Sequence, residues 1–121
     1  MRIFIIIFLF PFISLSQDSL NMSLLGSIDY PLTNGIDIWG YVDSSDNEYA
    51  IVGLRDGVSI VDVTDPTNPD EKFFIPDIYS VWRDIKTWNN YAYVTTESDT
   101  GLLIIDLNDL SGNTYWHVKD F

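Results

Sequence analysis

Residues 57–63 read GVSIVDV, and residues 101–107 read GLLIIDL. Both stretches open with glycine, continue through residues that are apolar except for Ser59, and carry an aspartate at the sixth position. A short apolar run bounded by turn residues is typical of a strand that is buried on both faces. A motif that recurs after about 44 residues also indicates a repeat architecture, in which each repeat is one unit of a larger β-structure.

The repetition extends outward from these two strands. Asp37-Ile38 corresponds to Asp84-Ile85, and the YAIV of residues 49–52 corresponds to the YAYV of residues 91–94. The segments are short, rich in β-branched and aromatic residues, and separated by polar turns of unequal length, which is typical of strands joined in hairpins. A fourth segment closes each unit, at residues 71–75 and 113–119.

Four strands in about 44 residues match the period of a β-propeller blade. The sequence therefore predicts an all-β fold, a partial β-propeller of about two four-stranded antiparallel blades. We expect a lead-in segment at 17–33, a first blade at 34–80 and a second at 81–121. Since propellers have roughly 4 to 8 blades, the ring is expected to be incomplete, and the sequence is expected to be the amino-terminal part of a longer protein or a truncated product. If the 121 residues are complete, the outer faces of both blades are expected to be exposed.

The amino terminus has the layout of a secretory signal peptide. Arg2 precedes an apolar run at residues 3–13, and the small-residue triplet SLS follows at residues 14–16. Cleavage after Ser16 is the favoured interpretation, and a retained membrane anchor is the alternative. Both predict a secreted or cell-surface protein.

The composition is strongly acidic, with 18 Asp and Glu against 6 Lys and Arg and a net charge of −12. Such a surface disfavours nucleic acid, whose affinity for proteins comes from Lys and Arg. The chain has no cysteine, which excludes thiol nucleophiles and cysteine-based metal sites. The acidic turn with Asp43, Asp46 and Glu48 suggests a calcium site, although it lacks the spacing of a dedicated calcium loop, and a solvated hairpin turn is the alternative.

Asp37 and Asp84 lie on the first strand of each unit, which is expected to face the central channel of a propeller. Together with Arg83 they are candidate ligand-binding residues, and a local ion pair between Arg83 and Asp84 is the alternative. Asp62 and Asp106 follow the buried strands, where we expect them to cap backbone N–H groups.

Gly57 and Gly101 open the same strands and are expected to be structural. The aromatic side chains either pack between the blades or form exposed platforms for sugars and protein partners; they include Trp39, Tyr41, Trp82, Trp88 and Trp116. His117 is the single histidine, and the sequence has no nucleophile motif to accompany it.

The pair VSIVD at 58–62 and LLIID at 102–106 resembles the LVIVD repeat of bacterial surface proteins. The flanking IDIWGY at 36–41, DPTNP at 65–69 and WRDIKT at 82–87 resemble the opening of the choice-of-anchor B family. That resemblance implies a secreted, propeller-like protein attached to the cell surface, and it implies no enzymatic activity or ligand residues.

The expected function is a non-enzymatic extracytoplasmic module that binds a protein or a glycan. The alternatives are the amino-terminal part of a secreted propeller hydrolase or lyase whose catalytic residues lie in further blades, and a fragment that does not fold alone. No cofactor other than calcium is expected.

Overall fold

The computed structural model describes residues 22–119, which form two antiparallel sheets of four strands each. The predicted leader at 1–16 lies outside the described residues. In both sheets the spatial order of the strands is their order in the sequence. The first sheet contains β1 (Gly35–Val42), β2 (Glu48–Leu54), β3 (Gly57–Asp62) and β4 (Asp70–Pro76), and the second contains β5 (Arg83–Trp88), β6 (Tyr91–Thr96), β7 (Leu102–Asp106) and β8 (Tyr115–Val118). Within residues 22–119, no helix has the length and apolar character needed to cross a membrane.

The turns use residues that tolerate left-handed backbone. In the β1–β2 turn Asp46 has φ 63°, and in the shorter β5–β6 turn Asn89 and Asn90 have φ 49° and 63°. Asp and Asn adopt this conformation more readily than bulkier residues because their short polar side chains bond locally. Both the longer and the shorter turn thus contain residues that suit a tight reversal of the chain, and both join their strands in a hairpin.

The hydrophobic core lies between the two sheets. The first sheet contributes Ile51, Val58, Ile60 and Ile75, and all four side chains are fully buried. The second sheet contributes Ile85, Ala92, Val94, Leu103, Ile105 and Leu107, which are buried to the same degree. The core thus joins the two repeats, and each sheet depends on the other for burial of one face.

The two central strands differ in their burial. Every residue of β3 from Gly57 to Val61 is buried, as the sequence predicts. In β7, however, Leu103 and Ile105 are buried whereas Leu102 and Ile104 are only half-buried, so the prediction of burial on both faces is wrong there. The far face of the first sheet is partly covered by the lead-in segment, whose Tyr30 hydroxyl donates to Ser59 Oγ at 2.8 Å. Among the described residues, no third sheet covers the far face of the second.

Candidate functional site: the joint and the connecting loop

The contact between the two sheets, which we call the joint, is bridged by side chains of β1. Asp37 Oδ2 accepts a hydrogen bond from the Ile85 backbone N–H at 2.8 Å. Trp39 Nε1 donates to Thr87 Oγ1 at 3.0 Å. Both side chains reach the second sheet because alternate residues of a strand point to the same face. Asp37, a candidate ligand-binding residue, is therefore engaged by the joint.

Asp84, the counterpart of Asp37, lies on β5 and is half-buried. Its Oδ1 pairs with Lys86 Nζ at 2.7 Å, and the Asp84 side chain is 46% exposed. The Lys86 ammonium also lies 4.2 Å from the ring centroid of Trp39, close enough for a cation–π contact. The structure therefore does not give Asp84 and Asp37 the same partners, although they occupy equivalent strand positions.

Arg83, the third candidate ligand-binding residue, is buried and pairs with Asp77. Its Nη1 lies 2.6 Å from Asp77 Oδ2, and the two side chains are 0% and 1% exposed. Arg83 Nε donates to the Leu54 carbonyl at 2.7 Å, and Nη2 donates to the Ile78 carbonyl at 2.7 Å. The alternative of a local ion pair with Asp84 is thus wrong, because the guanidinium turns into the joint instead of lying beside its chain neighbour.

Asp77 is the centre of this buried cluster. Besides Arg83, it faces His117, whose Nε2 lies 3.4 Å from Asp77 Oδ1. The Ile78 backbone N–H also donates to Oδ1 at 2.8 Å. A buried carboxylate needs such partners to offset the loss of hydration. The cluster links the first sheet, the loop that follows it and the last strand of the second sheet.

The loop that connects β4 to β5 exposes an apolar surface. Ile78, Tyr79, Val81 and Trp82 are 54%, 60%, 57% and 49% exposed. Arg55, in the adjacent β2–β3 turn, donates from Nη1 to the Tyr79 hydroxyl at 3.1 Å. We call these five residues the loop surface.

The backbone beneath the loop surface is fixed at several points. The Asp77 N–H donates to the Asp56 carbonyl at 2.9 Å, and the Ser80 N–H donates to the Arg55 carbonyl at 2.8 Å. Ser80 is itself buried, and its hydroxyl donates to the Trp82 carbonyl at 2.7 Å. The loop surface therefore combines exposed apolar side chains with an anchored backbone.

Sequence reasoning missed the loop surface as a unit and weighed Trp82 only as one aromatic among several. The usable signal is the run IYSVW at 78–82, which is apolar except for Ser80, shows no strand alternation and lies in the connection between the two repeats. The other tryptophans divide between packing and exposure. Trp39 is hydrogen-bonded in the joint and 38% exposed, whereas Trp88 is 72% exposed and Trp116 is 43% exposed.

The acidic turn is organised around Asp43. Its Oδ1 accepts from the Ser45 and Asn47 backbone N–H groups at 2.7 and 3.0 Å, and its Oδ2 accepts from Asn47 Nδ2 at 2.9 Å. These bonds, chiefly that from the Asn47 side chain, lower the pKa of Asp43. Asp46 and Glu48 are exposed. Within residues 22–119, no three His, Asp or Glu side chains form a group that could hold a metal ion.

The two aspartates that end the central strands have matching contacts. Asp62 Oδ1 accepts from the Thr64 backbone N–H at 3.0 Å, and Asp106 Oδ1 accepts from the Asn108 backbone N–H at 2.9 Å. The hydrogen bonds from Thr64 lower the pKa of Asp62. Each carboxylate caps the turn that follows its strand, which is the geometry of an Asx turn.

The glycines that begin these strands leave no room for a side chain. A Cβ at Gly57 would collide with the Ile75 carbonyl oxygen, and one at Gly101 would collide with the Val118 carbonyl oxygen. Gly101 also has φ +80°, where other residues are strained. Close backbone approach in both repeats, and left-handed backbone in the second, account for glycine at these positions.

The geometry defines a protein of tandem repeats, each of which forms one four-stranded antiparallel sheet. Comparison with protein families gives a match to the LVIVD repeat at residues 42–76 and again at residues 82–114. The two matches cover more than half of the chain, which therefore belongs to the LVIVD repeat family. None of the curated proteins and none of the solved structures with which the chain was compared matches it.

Proposed function

We propose that this chain is an extracytoplasmic, β-propeller-like module that binds a protein or a glycan through the loop surface. The LVIVD repeats and the two packed sheets support the propeller-like arrangement. The predicted signal peptide supports export, and the resemblance to the choice-of-anchor B family supports a position at the cell surface. The observation that carries the binding role is the exposure of Tyr79 and Trp82 on an anchored loop.

Exposed apolar side chains gathered in one place commonly mark interaction sites. Trp, Tyr and Arg are the residue types most enriched among those that contribute most to binding, and the loop surface contains one of each. Aromatic rings also stack on the apolar faces of sugars. Both classes of ligand therefore suit this surface.

Anchoring of the loop backbone favours binding further. Ordering a loop on association costs free energy, and a loop already held in place avoids most of that cost. Here the buried Arg83–Asp77 pair lies directly beneath the exposed residues, at 2.6 Å and with no solvent contact on the Arg83 side chain. The arrangement is that of rigid anchors on a fixed support.

The test measures binding of the fluorescently labelled, exported chain to cell envelopes of the organism that produces it. Trp82→Ala is expected to weaken binding by about 30-fold or more, the effect of removing a central aromatic anchor. Trp88→Ala is the matched control, because Trp88 is 72% exposed but lies at the opposite end of β5. Pretreatment of the envelopes with protease or with periodate identifies the ligand as protein or glycan.

Equal binding by Trp82→Ala, Trp88→Ala and the unaltered chain would contradict the proposal, as would failure of the unaltered chain to bind envelopes. Circular dichroism of each variant confirms that its fold is retained. Since Trp82 is half-exposed, its removal is expected to leave the core intact.

A further inference from the structure

The second sheet carries apolar and aromatic side chains on the face turned away from the joint. Tyr93, Ile104 and Trp116 lie opposite one another across β6, β7 and β8. The ring of Tyr91 contacts that of Trp116, with centroids 6.0 Å apart. We call these four residues, together with Leu102, the open face. Trp116 is 43% exposed and the other four are half-buried.

The open face has a direct counterpart in the first sheet. The same row there consists of Ile51, Ile60 and Phe73, which lie opposite one another across β2, β3 and β4. That row packs against the second sheet in the core of the joint. The open face is therefore equivalent in position to the face of the first sheet that packs against the second sheet. Asp84 occupies the position at which Asp37 accepts its hydrogen bond across the joint.

The far face of the first sheet carries the complementary half. An apolar groove there is lined on the sheet by Ile38, Ala50, Val52, Val61 and Val63. Residues 26–28 of the lead-in, with Pro66 and Pro69, form its other wall, and Val61 at its base is already buried. Their counterparts in the second repeat are all buried in the joint: Ile85, Ala92, Val94, Ile105 and Leu107. The contrast is largest at the first position, where Ile38 is 63% exposed and Ile85 is 0% exposed.

We propose that copies of this chain associate head to tail, with the open face of one copy docked in the groove of the next. Each new contact repeats the joint, and Asp84 of one copy accepts a hydrogen bond from the Ile38 N–H of the other, as Asp37 does from Ile85. Asp84 gives up only an exposed ion pair with Lys86, which contributes little to stability.

Head-to-tail contacts generate a ring when the rotation between copies closes. Propellers close with roughly 4 to 8 blades, and residues 22–119 of each copy supply two sheets. The expected assembly is therefore a ring of about two to four copies. This inference rests on the joint and its repetition, and it does not depend on the loop surface.

The lead-in segment opposes this association. Tyr30 is bonded to Ser59 on the groove side of the first sheet, and Ser59 is the counterpart of Leu103, which is buried in the joint. A second copy that docks fully must displace Tyr30 from Ser59 and residues 26–28 from the groove. Loosening the lead-in with Tyr30→Ala is therefore expected to strengthen association, an effect that damage to the fold would not produce.

Sedimentation velocity of the exported chain over a range of concentrations tests the proposal. The unaltered chain is expected to form a defined small oligomer, more so at high salt, which screens the repulsion between strongly acidic copies. Ile38→Lys places a charge in the groove, and Trp116→Lys places a charge on the open face. Each substitution disrupts one side of the proposed contact, so each variant alone is expected to be monomeric. An equimolar mixture retains one intact half from each variant and is expected to form a one-to-one dimer.

Val81→Lys is the matched control, because Val81 is 57% exposed in the loop surface and outside both halves. It is expected to associate like the unaltered chain. A chain that stays monomeric at all concentrations and salt levels would overturn the proposal. Association that survives Ile38→Lys would also overturn it, since contact between two open faces would then explain the oligomer.

Discussion

The buried Arg83–Asp77 pair is expected to dominate the stability of the joint. In Arg83→Met the long apolar stem is kept, but Asp77 is left buried and the carbonyls of Leu54 and Ile78 lose their donors. Removing one partner of a buried ion pair typically costs about 3–5 kcal/mol. Domains of this size are stable by only about 5–15 kcal/mol, so the variant should lose a large share of its stability. At roughly 4–8 °C per kcal/mol, the expected fall in Tm is at least about 12 °C.

The matched control is Lys86→Met, which breaks the Asp84–Lys86 pair. That pair is nearly as short, at 2.7 Å, but its two side chains are 56% and 46% exposed. Exposed pairs contribute about 0–1 kcal/mol. Urea denaturation followed by circular dichroism gives the free energy of unfolding of each variant. The double variant Asp77→Asn with Arg83→Met should recover part of the loss, because no buried charge is then left without a partner. If Arg83→Met costs no more than Lys86→Met, the assigned role of the buried pair is refuted.

Three further predictions follow from the turns. Gly57→Ala and Gly101→Ala should each destabilise the chain by about 1–3 kcal/mol in urea denaturation, because the added Cβ collides with backbone and, at Gly101, φ is strained. Gly40→Ala is the control and should have little effect, because a Cβ at Gly40 has no neighbouring atom within 4 Å. Hydrogen bonds lower the pKa of the turn aspartates Asp43, Asp62, Asp65 and Asp109 below the ordinary value of 3.8. Their contribution to the free energy of unfolding should therefore be complete above pH 3.8 and be lost as the pH falls through their folded pKa values, which an acid titration of stability measures. Millimolar calcium should leave Tm unchanged relative to a chelator, because Asp43 is already bonded within its own turn; a clear rise would show that the turn opens to bind the ion.

Much of the fold was predictable from local sequence. The apolar runs and turn residues around 57–63 and 101–107 predict strands, and the duplicated order predicts two sheets of equal topology, as found. Gly101 and the Asn89-Asn90 pair are recognisable because a left-handed backbone limits the residues that fit. The polar turns absorb the unequal lengths of the repeats, so register within each strand is kept.

The partners of the charged residues were not predictable. Arg83 stands next to Asp84 in sequence, yet neighbouring residues of a strand point to opposite faces, and Arg83 turns to Asp77 in the loop between the two sheets. Asp37 and Asp84 are equivalent in sequence, but only Asp37 has a following sheet to bond among the described residues. The predicted burial of Leu102 and Ile104 is wrong for the same reason, because burial of that face requires a neighbouring sheet and is not a property of the strand alone.

The most direct test of the joint is native-state hydrogen exchange of the Ile85 amide. Its N–H donates to the Asp37 carboxylate across the joint. In the unaltered chain this amide should be strongly protected, and in Asp37→Ala the protection should fall at Ile85 while the amides of Val58 and Ile60 stay protected in β3. Rapid exchange of Ile85 in the unaltered chain would contradict the packing of the two LVIVD repeats described here.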